Sequence, residues 1–204
     1  SRTWLEKDRA KMLKLEKPSQ TVRNEYFRKL KTTLINRIKF GVLQDGTRTV
    51  LADSAKAVLL PDWHLDNPQQ TDRLKELLTS EPADLVTLEQ TIKGEFDLLP
   101  EAERPSEKVL ATIMGYEAVF DSTSKSKAFW LAKAVGKNTC VFCNRQYVFT
   151  VERGEGTVKE DRIARPVFDH WFAKSKHPLL SLSLFNLIPS CSVCNSSVKL
   201  NDDY

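Results

Sequence analysis

Residues 140–143 have the sequence CVFC and residues 191–194 have the sequence CSVC, and these two pairs contain all four cysteines of the chain. Between the pairs, residues 168–171 have the sequence FDHW. Matched Cys-x-x-Cys pairs in a chain without a secretion signal are typical of a structural zinc site rather than of disulfides. A dithiol redox role needs one reactive pair, and it stays open as an alternative. We therefore expect zinc to be bound by Cys140, Cys143, Cys191 and Cys194.

The composition is that of a globular protein with a substantial core. The chain has 204 residues, 41% of them hydrophobic and 28% charged, which suits one or two domains. It contains no apolar run long enough to span a membrane and does not open with a secretion signal, so we expect a cytoplasmic protein without a membrane partner. The sequence starts at Ser1 and stops at Tyr204, soon after the second cysteine pair. We expect it to be a piece of a longer chain.

The basic residues are concentrated at the N-terminus. Residues 1–40 contain 12 Lys and Arg and 4 Asp and Glu, whereas residues 41–139 contain 11 and 16. A basic region of this kind can follow a phosphate backbone or face an acidic partner. A solvated, lysine-rich helix explains the same charges equally well.

The first two-thirds of the chain has mostly helical patterns. The clearest helix has Ser19 as its N-cap and Gly41 as its C-terminal signal. Its apolar stripe recurs every four residues at Val22, Tyr26, Leu30, Leu34 and Ile38. Helical spacing also predicts helices over residues 3–17, 70–79, 83–96, from Ser106 to about Phe120, and over 125–135.

The pattern changes from Cys140 onward. Residues 147–151 favour a strand, residues 154–156 a turn, and residues 165–168 a returning strand that delivers Asp169 and His170. A final helix is predicted from about Asn195. The Tyr147 ring is expected to pack in the core rather than to stack on bases. The expected fold class is α+β, with a helical recognition or partner-binding region at 1–139 and a second domain at 140–204.

Three segments in the second domain resemble the HNH endonucleases, whose ββα-metal motif lies within a four-cysteine zinc site. These segments are FDHWFAKSK at 168–176, SLFNLIPSC at 183–191 and CNSSVK at 194–199. Together with CNRQY at 143–147, they resemble most closely a bacterial branch that often acts in anti-phage defence and includes nuclease subunits of Septu-type systems. The resemblance covers residues 140–199, about a third of the chain.

The resemblance implies a metal-dependent endonuclease that acts on DNA, with RNA as a further possible substrate. It implies that His170 is the general base, that Asp169 and Asn195 hold a catalytic Mg²⁺ or Mn²⁺, and that Asn186 helps to orient the His170 ring. These roles suit phosphodiester hydrolysis, because oxygen ligands favour such cations and histidine, with an unperturbed pKa of about 6.5, is a base at neutral pH. Asn195 stands where many members of the family have a histidine.

Further candidates and alternatives remain. Lys174, Lys176 and Lys199 flank the expected site and are candidate phosphate contacts, although solvation explains them equally well. His177 is a weaker candidate for substrate contact. Two other functions stay open: a non-catalytic zinc-knuckle module that binds nucleic acid or protein, and a nuclease subunit that is active only with a partner such as an ATPase.

Overall fold

The computed structural model describes residues 13–61, 72–121, 127–153 and 162–197. Its helices are α1 (Gln20–Phe40), α2 (Asp53–Leu59), α3 (Asp72–Thr79), α4 (Pro82–Asp97), α5 (Glu107–Met114), α6 (Lys127–Val135) and α7 (Ser192–Ser197). Its strands are β1 (Val42–Gln44), β2 (Thr47–Thr49), β3 (Val151–Glu152), β4 (Arg162–Ala164), β5 (Val167–His170) and β6 (Leu187–Ser190). The expected mixture of a helical N-terminal region and short antiparallel strands is confirmed. Among the described helices, none has the length and apolar character that crossing a bilayer requires.

Helix α1 organises the helical region, since α2, α3, α5 and α6 all pack against it. The Ser19 hydroxyl accepts a hydrogen bond from the Val22 N–H (3.3 Å), and Gly41 ends the helix with a φ of +74°. The predicted stripe is confirmed at four of its five positions, which the helix buries almost completely, whereas Val22 in the first turn is half-buried. The four are Tyr26, Leu30, Leu34 and Ile38. The four-residue periodicity therefore marks the face on which the main core forms.

The segment before α1 departs from its prediction. Residues 13–17 are not helical, and the rest of the helix predicted over 3–17 lies outside the described residues. Pro18 disfavours helical backbone in the residue that precedes it. The Leu13 N–H instead donates to the Val141 carbonyl (2.9 Å), so this segment runs beside the first cysteine pair.

The strands form three separate antiparallel pairs, β1–β2, β3–β4 and β5–β6. The predicted hairpin, in which one returning strand delivers Asp169 and His170, is therefore wrong. Strand β4 returns alongside β3, and the next strand, β5, pairs with β6 in a register that runs from Val167 opposite Ser190 to His170 opposite Leu187. Pro166 separates β4 from β5, because proline has no N–H to donate to a strand ladder.

The main hydrophobic core continues across the predicted boundary at residue 139, a boundary that stays a prediction. Helical residues share this core with six residues of the last third: Phe168, Leu179, Leu180, Leu182, Leu184 and Leu187. A polar contact also joins the two parts, because the buried Tyr26 hydroxyl donates to the Leu182 carbonyl (2.9 Å). A small second core contains Val148 and the cysteines.

The Tyr26 contact gives a test of this shared core. We expect Tyr26→Phe to lower the free energy of unfolding by about 1–3 kcal/mol, because the buried Leu182 carbonyl would lose its donor. Tyr147→Phe is the matched control, since Tyr147 is 74% exposed and its hydroxyl change should cost almost nothing. Urea unfolding of both variants measures the difference. Equal stabilities would contradict the shared core.

Candidate functional site

The four cysteines come together at one place. Their Sγ atoms all lie within 4.8 Å of one another, with Cys143 half-buried and the other three buried. A tight turn forms the first pair, in which the Asn144 N–H donates to the Cys140 carbonyl (2.9 Å). The second pair opens α7, where the Cys194 N–H donates to Cys191 Sγ (3.4 Å). Such N–H···S bonds favour the thiolate form that metal binding needs.

The four thiols lie close together and mostly away from water, and this position shifts pKa values within the cluster. Burial raises the pKa of Cys140, and burial together with the neighbouring Cys191 thiol raises the pKa of Cys194. Burial alone would also raise the pKa of Cys143, but hydrogen bonds from the backbone of Arg145 and Gln146 outweigh it and lower that pKa to about 7. A divalent cation would favour the thiolate form of these cysteines, because it binds that form.

The cluster can hold a metal ion such as Zn²⁺. Among the described residues, these cysteines are the one group of three or more Cys, His, Asp and Glu side chains close enough to share an ion. Four sulfur ligands are typical of a closed structural zinc site, which has no position left for a substrate. The expected ligand set is therefore brought together.

His170 ends strand β5, and its ring is held on two sides. The Nε2 atom lies 3.0 Å from the Ser181 carbonyl oxygen, and the edge of the ring meets Tyr116 with 4.5 Å between ring centroids. The side chain is 7% exposed. Because Phe168 packs on Phe120 on the same side, β5 turns this face towards the helical region.

Asn186 is fully buried and fixes the loop that faces His170. Its Oδ1 accepts from the Phe172 N–H (2.6 Å), while its Nδ2 donates to the carbonyls of Phe172 (3.2 Å) and Leu180 (2.9 Å). Leu180 precedes Ser181, whose carbonyl oxygen contacts the His170 ring. Asn186 is thus connected to the His170 ring through the backbone of Leu180 and Ser181.

Asp169 and Asn195 lie on two elements that pack together. The Asp169 side chain is buried, and its Oδ1 accepts from the His170 N–H (2.8 Å). Strand alternation puts this side chain on the face of β5 opposite to that of His170. Helix α7, which carries the half-buried Asn195, packs against β5.

Two residues of the helical region interact with the His170 side chain, one by contact and one through its charge, and no sequence pattern predicted either interaction. Tyr116 contacts the ring, and Glu117 is paired with Lys174, whose Nζ lies 5.4 Å from the centroid of the Tyr116 ring. Burial alone would raise the pKa of Glu117, but Lys174 and, to a smaller extent, the charge on His170 outweigh it and lower the pKa. Glu117 begins a π-helical segment, a feature often found at functional sites.

The remaining candidates are dispersed. His177 is tied to the helical region, because its Nδ1 lies 2.5 Å from Oε2 of the buried Glu89 on α4. Lys176 is exposed, and its carbonyl accepts from Lys93 (3.4 Å). Lys199 lies outside the described residues.

Comparison of the chain with models of protein families, with curated proteins and with solved structures found no match.

The cysteine cluster leads to a prediction about metal content. We expect the purified protein to contain zinc, and Cys140→Ser or Cys194→Ser to release it and unfold the last third of the chain. The free energy of binding structural zinc, on the order of 10 kcal/mol, is at the same time folding free energy. Elemental analysis and circular dichroism measure both effects, with the exposed Ser192→Ala as control. A cysteine variant that keeps its metal and its thermal transition would refute this.

Asn186 leads to a second prediction. We expect Asn186→Ala to cost about 1–3 kcal/mol of stability, because buried backbone groups at Phe172 and Leu180 lose their partners. Asn24→Ala, at an exposed position of α1, should cost far less. Thermal unfolding of the two variants provides the comparison, and similar losses would mean that Asn186 does not fix the loop.

Proposed function

We propose that this chain is a metal-dependent endonuclease of the HNH type that hydrolyses DNA phosphodiester bonds. The observation that supports it best is the orientation of His170. A carbonyl oxygen can only accept, so the 3.0 Å contact with Ser181 requires Nε2 to carry the hydrogen of the neutral ring. The lone pair then belongs to Nδ1. We assign Nδ1 as the atom that takes a proton from the attacking water.

The surroundings of His170 suit this task. A base that is already oriented loses little entropy when the substrate arrives, and here Tyr116, the Ser181 carbonyl and the Asn186-bound loop hold the ring. Proton transfer turns the imidazole into a cation. The nearby Glu117 carboxylate would stabilise that charge. The helical region then supplies part of the active site.

Asp169 and Asn195 would hold the catalytic cation. Both offer oxygen ligands, the kind that Mg²⁺ and Mn²⁺ prefer, and the packing of α7 against β5 keeps the two residues on neighbouring elements. Such a cation, when bound, stabilises the charge that builds on the phosphate and on its leaving oxygen. Zinc bound by the four cysteines would have a separate, structural role.

Lys174 is the best-supported candidate for a phosphate contact near His170. It is paired with Glu117 and lies beside the Tyr116 ring that touches His170. A phosphate oxygen would replace the Glu117 carboxylate as its partner when DNA binds. Glu117 would then be released to face the His170 cation.

The biological setting rests on the sequence resemblance. We propose a role in bacterial anti-phage defence, in which a partner such as an ATPase controls the nuclease. The basic residues at the start of the chain and the acidic ones in the middle would be docking surfaces. Copurification from the native host tests for that partner.

The nuclease proposal predicts plasmid cleavage by the zinc-loaded protein after addition of Mg²⁺ or Mn²⁺. We expect His170→Ala to slow cleavage by about 10²–10⁴-fold, the usual contribution of a general base. Gel electrophoresis of plasmid, with single-stranded DNA and RNA as further substrates, measures the rate. Dialysis against metal-free buffer is a better control than a chelator, because a chelator would also strip the zinc.

His170→Gln separates catalysis from structure in the same experiment. Glutamine can still donate to the Ser181 carbonyl but is not a base at neutral pH. Loss of cleavage in both variants, with unfolding transitions unchanged, supports the general base. Cleavage at the wild-type rate in either variant would refute it. Absence of cleavage on all three substrates, even with the copurified partner added, would favour a non-catalytic zinc-knuckle module.

A further inference from the structure

The chain leaving the first cysteine pair carries an exposed row that the proposed active site does not use. Alternate residues from 145 to 153 are all exposed, whereas Val148 between them is buried in the second core. We call this row the aromatic stripe. Its members are Arg145, Tyr147, Phe149, Val151 and Arg153.

The aromatic stripe contains a preformed ring stack. The rings of Tyr147 and Phe149 lie 5.1 Å apart and within 10° of parallel. Tyr147 is 74% exposed and Phe149 is 47% exposed, so the prediction that Tyr147 packs in the core is wrong. The adjacent residue, Val148, packs in the second core instead. The Tyr147 ring stacks on Phe149 with one face and is largely exposed, so its other face is open to solvent.

The charges beside the rings favour an anionic partner. Arg145 and Arg153 lie at the two ends of the row, and neither forms an ion pair with any residue in the described part of the chain. Within residues 145–153, the one acidic residue is Glu152, which is paired with Lys133. Among residues 145–153, the row therefore contains two rings between two arginines, and the one carboxylate of this segment already has a basic partner.

We propose that the aromatic stripe binds unpaired nucleotides of a nucleic acid strand. Bases stack on exposed aromatic rings, and arginines at both ends follow the phosphates. A base within a duplex already stacks on its neighbours, so the stripe selects single-stranded or locally opened nucleic acid. That this strand is also the substrate rests on the proposed function.

The fold connects the stripe to the candidate active site. Val151 belongs to β3, which pairs with β4. Only Arg165 and Pro166 separate β4 from β5, the strand that ends at His170. A nucleic acid strand bound to the aromatic stripe is thus held by the same part of the protein that carries the proposed base.

Fluorescence anisotropy of labelled oligo(dT), without Mg²⁺ or Mn²⁺, tests the inference apart from cleavage. We expect oligo(dT) to bind more tightly than the corresponding duplex. Tyr147→Ala and Phe149→Ala should each weaken binding by roughly 5- to 150-fold, the range measured for loss of one stacked base. Tyr147→Phe keeps the ring and should bind like the wild type. Leu98→Ala, at another exposed apolar position, is the matched control.

Two more variants identify the kind of contact. Tyr147→Leu keeps apolar surface but removes the ring, and it should lose binding as Tyr147→Ala does. Arg145→Ala and Arg153→Ala should each reduce the slope of log K against log salt by about 0.7, the value for one phosphate on a single strand. Because all these side chains are exposed, zinc content and thermal transitions should stay unchanged.

The outcomes separate this inference from the nuclease proposal. Wild-type protein that does not bind oligo(dT), or alanine variants that bind it as tightly as the wild type, would overturn the inference. The inference would also be overturned if Tyr147→Leu binds oligo(dT) normally while Tyr147→Ala disrupts a complex with another protein. The stripe would then be a protein interface. Intact stripe-dependent binding with cleavage that does not depend on His170 would overturn only the assignment of His170 as the base, and intact binding without any cleavage would overturn only the nuclease proposal.

Discussion

The antiparallel pairing of β5 with β6 is the constraint on which the rest of the structure depends. Its register sets Asp169 opposite Ile188 and His170 opposite Leu187. A slip of one residue would exchange the two faces of β5 and turn Phe168 and His170 away from the helical region. The same pairing ends directly before Cys191 and so delivers the second cysteine pair to the first. The position of the cysteine cluster and the position of His170 therefore both depend on this one strand pairing.

Both hydrophobic cores stabilise the pairing of β5 with β6. The main core binds β5 and β6 to the helices through large apolar side chains, Phe168 and Leu187 among them. The second core contains little beyond Val148 and cysteines, too little apolar surface to fold alone. A metal bound by the four cysteines would supply what that core lacks. The helical region thus supports the His170 face of β5, and the cysteine cluster supports its other end.

Sequence alone predicted the features that depend on local spacing. The α1 stripe ending at Ile38 and the meeting of Cys140 with Cys191 both follow from periodicity or from the geometry of a metal site. Tertiary packing decided the rest. Nothing local indicates that Tyr116 reaches His170, or that Val148 rather than Tyr147 fills the second core. A strand-forming segment predicts alternation but not which of its faces is buried.

Chemical rescue tests whether the oriented His170 ring is a general base. Plasmid cleavage by His170→Gly would be measured with zinc retained and Mg²⁺ added, in the absence and presence of imidazole. We expect this variant to lose cleavage and imidazole to restore part of the rate, with a larger effect as more of the added imidazole is neutral. Cleavage by His170→Gly at the wild-type rate without imidazole would contradict it. So would a folded variant that no concentration of imidazole restores.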